Sequence, residues 1–274
     1  PKQKILYICG KAGSGKTQVA LKICEALKGR VQAGSGTGKA AQNYNGPTVH
    51  AMFAWTYDFG DGHKWTDKQI TELRVLYQDV DTFVIDEINA NSADFLANFG
   101  ESMTVLFNPE RKKNAQGDVE PFGGKRVVFL GDPGQLPPVM GERIDSQGTS
   151  GYNMASKVRL SRGVRQSRIH RTARGQELYR KYIAPNCIYL QQGQRNNGLL
   201  QQICDRLRNG EQTEDDLDKL TFQRRHFPDF ITDYGIHYEN ESCSSNNWKQ
   251  LWSQCQSFTP PKRLYICRAS YHTT

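Results

Sequence analysis

The chain has 274 residues, 37% hydrophobic and 23% charged, the balance of a folded globular protein large enough to bury a substantial core. No apolar run approaches the ~18 residues of a membrane-crossing helix, and no signal-peptide pattern opens the chain, so a membrane partner is not expected. The net charge of +8 and pI of about 9.1 favour a polyanionic partner, nucleic acid first, although a basic surface without a partner would look the same.

Residues 5–9 (ILYIC) form a short apolar run that predicts a buried strand. GKAGSGKT follows at residues 10–17, and Val19, Ala20, Ile23, Ala26 and Leu27 then recur at helical spacing over 18–27. The pattern is G-x-x-x-x-G-K-[ST] in the strand–turn–helix context that a phosphate-binding loop requires. Gly10, Gly13 and Gly15 let the backbone turn its N–H groups toward phosphate oxygens, and Ala12, Ser14 and Gln18 complete the predicted nucleotide-facing loop. The helix start adds partial positive charge. Lys16 would reach the outer phosphates and Thr17 would ligate magnesium, so ATP and Mg2+ are the expected cofactors. A chance glycine-rich turn is the bland alternative.

Phe53, Trp55, Tyr57, Phe59 and Trp65 cluster next. Core beneath a small subdomain is the expected reading, and stacking on bases the alternative. Residues 81–86 (DTFVID) predict a second buried strand, ending in Asp86 and Glu87. In phosphate-loop enzymes such an Asp holds magnesium, directly or through water. The adjacent Glu orients and deprotonates the attacking water, which points to hydrolysis. Residues 108–124 are polar and predict a long surface loop or small insertion. Residues 126–130 (RVVFL) predict a third strand, ending in Gly131 and Asp132, and residues 145–156 another polar loop.

Arg159, Arg162, Arg165, Arg168, Arg171 and Arg174 recur every three residues. On an α-helix each such step turns about 300° and spreads the side chains around the rod. An extended segment would align them as a phosphate stripe. A solvated basic linker is the expected reading. From Gly198 the pattern is helical (LLQQICDRLRNG), closed by Gly210, and Thr213 caps a second helix with Asp216 three residues on. Residues 263–271 predict a last strand. Short apolar strands separated by helices predict an α/β fold with a parallel sheet. Cys9, Cys24, Cys187, Cys204, Cys243, Cys255 and Cys267 form no CxxC pair, so reduced thiols in an intracellular protein, nuclear if eukaryotic, are expected.

GKAGSGKT, IDEIN and LGDPGQLPPV, in that order, resemble superfamily-one helicases of the Pif and RecD type, and most closely the Pif family, including members carried by Helitron-like mobile elements. The resemblance runs over roughly residues 4–225. It implies a RecA-like P-loop lobe over residues 1–195 with a small insertion at about 50–80, then linker helices and an incomplete second RecA-like lobe over 196–274. It implies that Gln135 contacts the γ-phosphate and the attacking water. Arg195, in IYLQQGQR, would be an arginine finger, with Arg165 in VRLSRGVRQ as its competitor. TGKAA and GPTVH resemble the family's grip on single-stranded DNA, which implies backbone contacts from Thr37, Gly38, Lys39, Thr48 and His50. Helix capping is the alternative for Thr48 and His50.

The chain departs from the family at Asn89, where Ser is common. It begins without Met, no adenine-recognition glutamine precedes Lys4, and the family's later motifs find no match, so the sequence is expected to be a piece of a longer protein. Such a piece is expected to bind nucleotide, hydrolyse it poorly and not unwind. The family implies an ATP-dependent DNA helicase that moves 5'-to-3' as a monomer on single-stranded DNA, with an RNA–DNA hybrid as a further substrate, in repair, recombination and telomere maintenance. A nucleotide-gated DNA-binding ATPase without unwinding, and a metabolic P-loop kinase, are the alternatives. The acid pair, Gln135 and the basic charge speak against the kinase.

Overall fold

A computed structural model describes residues 4–55, 64–135, 137–138, 141–146, 162–191, 198–216 and 218–219. Five parallel strands make one sheet in the order β2-β3-β4-β1-β5. They are β1 (Ile5–Gly10), β2 (Val31–Ser35), β3 (Thr82–Asp86), β4 (Arg126–Gly131) and β5 (Cys187–Leu190). The predicted strands are β1, β3 and β4. All three are apolar on both faces, as a sheet covered by helices on each side demands.

Alternation along these strands builds two cores. Tyr7, Phe83, Ile85, Val127 and Phe129 face the larger, with α5 (Ala93–Phe107) laid across it. Ile8, Val84, Val128 and Leu130 face the smaller, which α1 (Lys16–Ala26) covers through Ala20 and Ile23. Two strands escaped the sequence pattern. The edge strand β5 leaves Ile188 and Tyr189 exposed. The other, β2, reads VQAGS, and its glycine answers a close approach: a Cβ on Gly34 would lie 2.5 Å from the Pro47 carbonyl oxygen.

Three short helices follow β2: α2 (Gly38–Gln42), α3 (Val49–Met52) and α4 (Asp67–Leu76). A capping box between Thr66 and Gln69 starts α4. The aromatic cluster is core: Phe53 and Trp55 stack at 5.5 Å inside the larger core, with Trp65 packed against it. Tyr57 and Phe59 lie outside the described residues. The polar stretch after α5 is a surface loop that ends in a tight turn at Pro121–Gly124, where Phe122 packs 5.3 Å from Phe129.

The arginine ladder corrects both sequence readings. Residues 162–178 are one helix, α6 (Arg162–Leu178), so the arginines form neither an extended stripe nor a solvated linker. Arg159 lies outside the described residues. Thr172, Gln176 and Leu178 are buried, and Arg174 pairs with Glu177 at 2.8 Å. A run this polar packs because Gly175 admits the α5 backbone: a Cβ there would lie 1.7 Å from the Ala93 carbonyl oxygen. Beyond α6 the chain unwinds into a π-helical turn over Tyr179–Ile183, sends Tyr179 and Ile183 into the larger core, and enters β5.

The chain divides into two compact units, Pro1–Cys204 and Asp205–Thr274, the division falling within α7 (Leu199–Asn209). In the second, Gly210 has φ +74, the left-handed value of a helix C-cap. Thr213 and Asp216 form the predicted reciprocal cap: the Asp216 N–H donates to Thr213 Oγ1 at 3.2 Å, and the Thr213 N–H to Asp216 Oδ2 at 3.0 Å. Arg206 Nε also donates to that carboxylate at 2.7 Å. Leu217, Leu220 and the strand predicted over 263–271 lie outside the described residues.

The Gly175 contact yields a direct test. Gly175→Val forces α6 away from α5, at a cost of about 1–3 kcal/mol for an overpacked interface. Each kcal/mol lowers the melting temperature of a domain this size by about 2–4 °C, readable by thermal circular dichroism.

Candidate nucleotide site

The carboxyl ends of β1, β3 and β4 meet at one edge of the sheet, and the loops leaving them carry most of the predicted site. After β1 the chain turns through Gly13 (φ +78) and Gly15 (φ +92), left-handed conformations that favour glycine. Gly15 is the residue immediately before α1, so Lys16 and Thr17 begin the helix. Lys16 is buried, and its Nζ donates to the carbonyls of Gly10 at 2.7 Å and Lys11 at 3.2 Å. Ser14 Oγ is buried with no hydrogen-bond partner, an oxygen suited to a phosphate ligand. Ala12 and Gln18 are exposed at the loop tip and first helical turn.

The acid pair leaves the end of β3. Asp86 is 3% exposed, and its carboxylate accepts from the Glu87 N–H at 2.8 Å and from the Tyr44 hydroxyl at 2.7 Å. Glu87 sits at φ 56, ψ 42, a left-handed conformation that costs a non-glycine residue on the order of 1–3 kcal/mol. Its Oε2 is buried without a partner. Burial is the largest cause that raises its carboxyl pKa above the usual glutamate value, and the Asp86 and Asp132 charges add to it. Lys16 and a hydrogen bond from Gln135 pull the other way. Gln135 is presented by a tight turn: its N–H donates to the Asp132 carbonyl at 3.1 Å, while Asp132 Oδ1 accepts from the Gly134 N–H at 3.0 Å.

Two asparagines that sequence reading gave no role fix this turn. Asn91 Nδ2 donates to the Glu87 carbonyl at 2.9 Å, and Asn89 Oδ1 accepts from the Tyr7 hydroxyl at 2.8 Å. Gly36 and Gly131 face them so closely that an added Cβ would lie 2.0 and 2.1 Å from their side-chain oxygens. At the position where the family commonly has Ser, Asn89 ties β1 to the turn after β3.

The residues present fit a magnesium nucleotide. The Asp86 carboxylate accepts a hydrogen bond from the phenol of Tyr44 at 2.7 Å, and Thr17 lies close enough to that phenol to influence its pKa. Such oxygen donors suit Mg2+, which takes one or two protein ligands and completes its shell with phosphate and water. Sequence reading missed Tyr44, since no motif asks for an aromatic residue in QNYNG.

The predicted DNA contacts lie at the adjoining edge. Thr37 and Thr48 start α2 and α3, and their hydroxyls accept from the N–H groups of Ala40 at 3.4 Å and Ala51 at 3.2 Å. Capping therefore explains both threonines locally. Thr37, Gly38 and Lys39 are exposed. His50 is half-buried, its ring 5.6 Å from both Trp55 and Phe95, and burial lowers its pKa below the usual 6.5, which keeps it neutral near pH 7. Arg195 lies outside the described residues, as does the side chain of Arg165.

A family model described as PIF1-like helicase matches residues 1–185. The ATP-dependent DNA helicase Pif1 of a Psychrobacter species is 35% identical over 152 residues, covering 52% of this chain and 21% of its own. The ATP-dependent DNA helicase PIF1 of Saccharomyces cerevisiae is 30% identical over 141 residues, covering 49% of this chain and 15% of its own. The chain thus spans about a fifth or less of those relatives. Among solved structures, Pif1 helicase from Candida albicans superposes with a TM-score of 0.62 at 21% identity, over 91% of this chain and 51% of that one. Bacteroides Pif1 bound to ssDNA gives 0.56 at 22% identity, over 87% and 49%. At these identities the likeness bears on the fold, which is RecA-like.

The environment of Glu87 sets a sign for stability. Because its folded-state pKa is raised, the native state binds a proton more readily than the unfolded chain. That contribution is present at low pH and lost as pH rises through the raised value, so near neutrality the ionised carboxylate opposes folding. Glu87→Gln removes the charge and keeps the shape. It should raise the thermal midpoint near pH 7, and the gain should vanish at about pH 4, near the unfolded glutamate value.

Proposed function

We propose, for a chain that belongs to the PIF1-like helicase family, that this lobe binds Mg-ATP and hydrolyses it, and that hydrolysis drives movement along single-stranded DNA. The observation that carries this reading is the convergence of Lys16, Thr17, Asp86, Glu87 and Gln135 on one sheet edge, with a buried, partnerless Glu87 oxygen among them. Lys16 Nζ exchanges its carbonyl partners for the outer phosphates. Thr17 and Asp86 would hold Mg2+, which neutralises phosphate charge when bound. Glu87 takes a proton from water as the water oxygen attacks the γ-phosphorus and the bond to the bridging oxygen breaks. Gln135, beside Glu87, orients that water. A raised pKa suits Glu87 to accept the proton near neutral pH.

The exposed stretch Thr37 to Lys39, with Thr48 and His50 beside it, supplies donors to phosphate oxygens without reading base sequence. Backbone-only contact is compatible with an RNA–DNA hybrid as a second substrate. Movement 5'-to-3', action as a monomer and an arginine finger at Arg195 complete the proposal.

Steady-state ATPase is the test, with and without a single-stranded oligonucleotide, on wild type and Glu87→Gln. DNA should stimulate wild-type hydrolysis. The substitution should cut it by about 10²–10⁴-fold, the worth of a general base, while ADP still binds. Wild-type activity should also fall as pH drops through the raised Glu87 pKa. Hydrolysis that survives Glu87→Gln, or that ignores DNA in a longer chain spanning the family's later motifs, would overturn the reading. Strand displacement by that longer chain on 5'- and 3'-tailed duplexes decides polarity.

A further inference from the structure

Tyr44 lies in a polar run between the two caps, seven residues after Thr37 and four before Thr48. Its hydroxyl donates to Asp86 Oδ2 at 2.7 Å, and Thr17 is near enough to temper the rise that burial imposes on the phenol's pKa. These are the two groups assigned above to the cation. Asp86 is almost fully buried beside Glu87, so its charge needs compensation, and the phenol and the Glu87 N–H supply it. The phenol therefore occupies, on the Asp86 carboxylate and beside Thr17, the position that a divalent cation would take.

The ring has somewhere to go. It packs on the smaller core and lines a cavity of about 310 Å³, bounded by Leu21 and Cys24 of α1, Val31 and Ala33 of β2, and Pro47. The backbone around it is tightly wound. The Tyr44 and Gly46 N–H groups both donate to the Ala41 carbonyl, and a Cβ on Gly46 would lie 2.4 Å from the Ala33 carbonyl oxygen. A displaced Tyr44 therefore acts on its neighbours, and those neighbours lead to the caps at Thr37 and Thr48.

We propose that Tyr44 gates the cation site: its hydroxyl occupies the Asp86 carboxylate beside Thr17 until Mg2+ with nucleotide displaces it, and the displacement moves the DNA-contacting segment between Thr37 and Thr48. The inference rests on the assignment of Thr17 and Asp86 as cation ligands. It makes Tyr44 a positioning residue, linking nucleotide and DNA.

The experiment is a Mg2+ titration of ADP binding by calorimetry, on the whole chain, with and without a thymidine oligonucleotide. Tyr44→Phe and Tyr44→Ile each remove the hydroxyl and keep an apolar side chain. Loss of a competing hydrogen bond to a carboxylate should lower the Mg2+ midpoint by about tenfold, or about 1.4 kcal/mol. The oligonucleotide should shift the wild-type midpoint and leave both variants unmoved. Unchanged midpoints in both variants, beside a Mg2+-dependent wild type, sink the gate alone. Weaker Mg2+ binding in the variants sinks it too, since Tyr44 would then support the cation. A wild type whose ADP binding ignores Mg2+ sinks the ligand assignment, and the gate falls with it.

Discussion

The conformation of Glu87 is the constraint on which the rest of the site depends. A glutamate at φ 56 is strained, and it stays there because the turn behind it is wedged on both sides. In the sheet order, β3 lies between β2 and β4. Asn91 packs against Gly36, just past the end of β2, and Asn89 against Gly131, the last residue of β4. Neither glycine can carry a side chain without displacing an asparagine. Asn89 also reaches across to Tyr7 of β1, so three strands and one turn share a single buried contact set. The strain is stored in the turn, and the packing of its neighbours keeps it there.

Charge explains why the site is arranged around exchange. Asp86 and Asp132 are buried, Glu87 is largely so, and one buried lysine stands among them. Lys16 satisfies its protons on two loop carbonyls, and Tyr44 satisfies Asp86. Each partner is neutral and replaceable. A phosphate in place of the carbonyls, and a cation in place of the phenol, would improve the electrostatics at both positions, because buried charges are best compensated by opposite charge. Glu87 Oε2 is left without a partner in this arrangement, which is the state a proton acceptor requires.

The parts legible in the sequence are those whose local pattern and tertiary role agree. β1, β3 and β4 are continuous apolar runs, and the loops they emit carry residues whose spacing encodes chemistry directly. β2 was illegible because its glycine serves a backbone contact with residue 47, thirteen positions away, and β5 because an edge strand needs no buried pattern. The arginine ladder misled because a run this basic and polar shows no apolar face, and so reads as a solvated linker although it is helical. The residue that decides α6 is Gly175, whose importance appears only when the Ala93 carbonyl lies against it. Asn89, Asn91 and Tyr44 were invisible as site residues for the same reason: each acts through a partner at least four, and as many as 82, positions away.

The two halves of the proposed function also meet at a single side chain. The Ser35 hydroxyl, fully buried at the end of β2, donates to the Asp86 carbonyl at 3.0 Å and accepts from the Thr37 N–H at 3.3 Å. Its backbone pairs with Thr48. A shift of the acid turn therefore reaches the start of α2 through one hydroxyl and the start of α3 through one bridge. Tyr44 closes the loop from the other side, because it leaves the same segment and returns to the Asp86 carboxylate. Backbone and side chain of Asp86 are thus tied separately to the stretch between Thr37 and Thr48. An element held at two points by one acid is biased to shift when that acid changes partners, which is what the proposed coupling of nucleotide binding to strand contact requires.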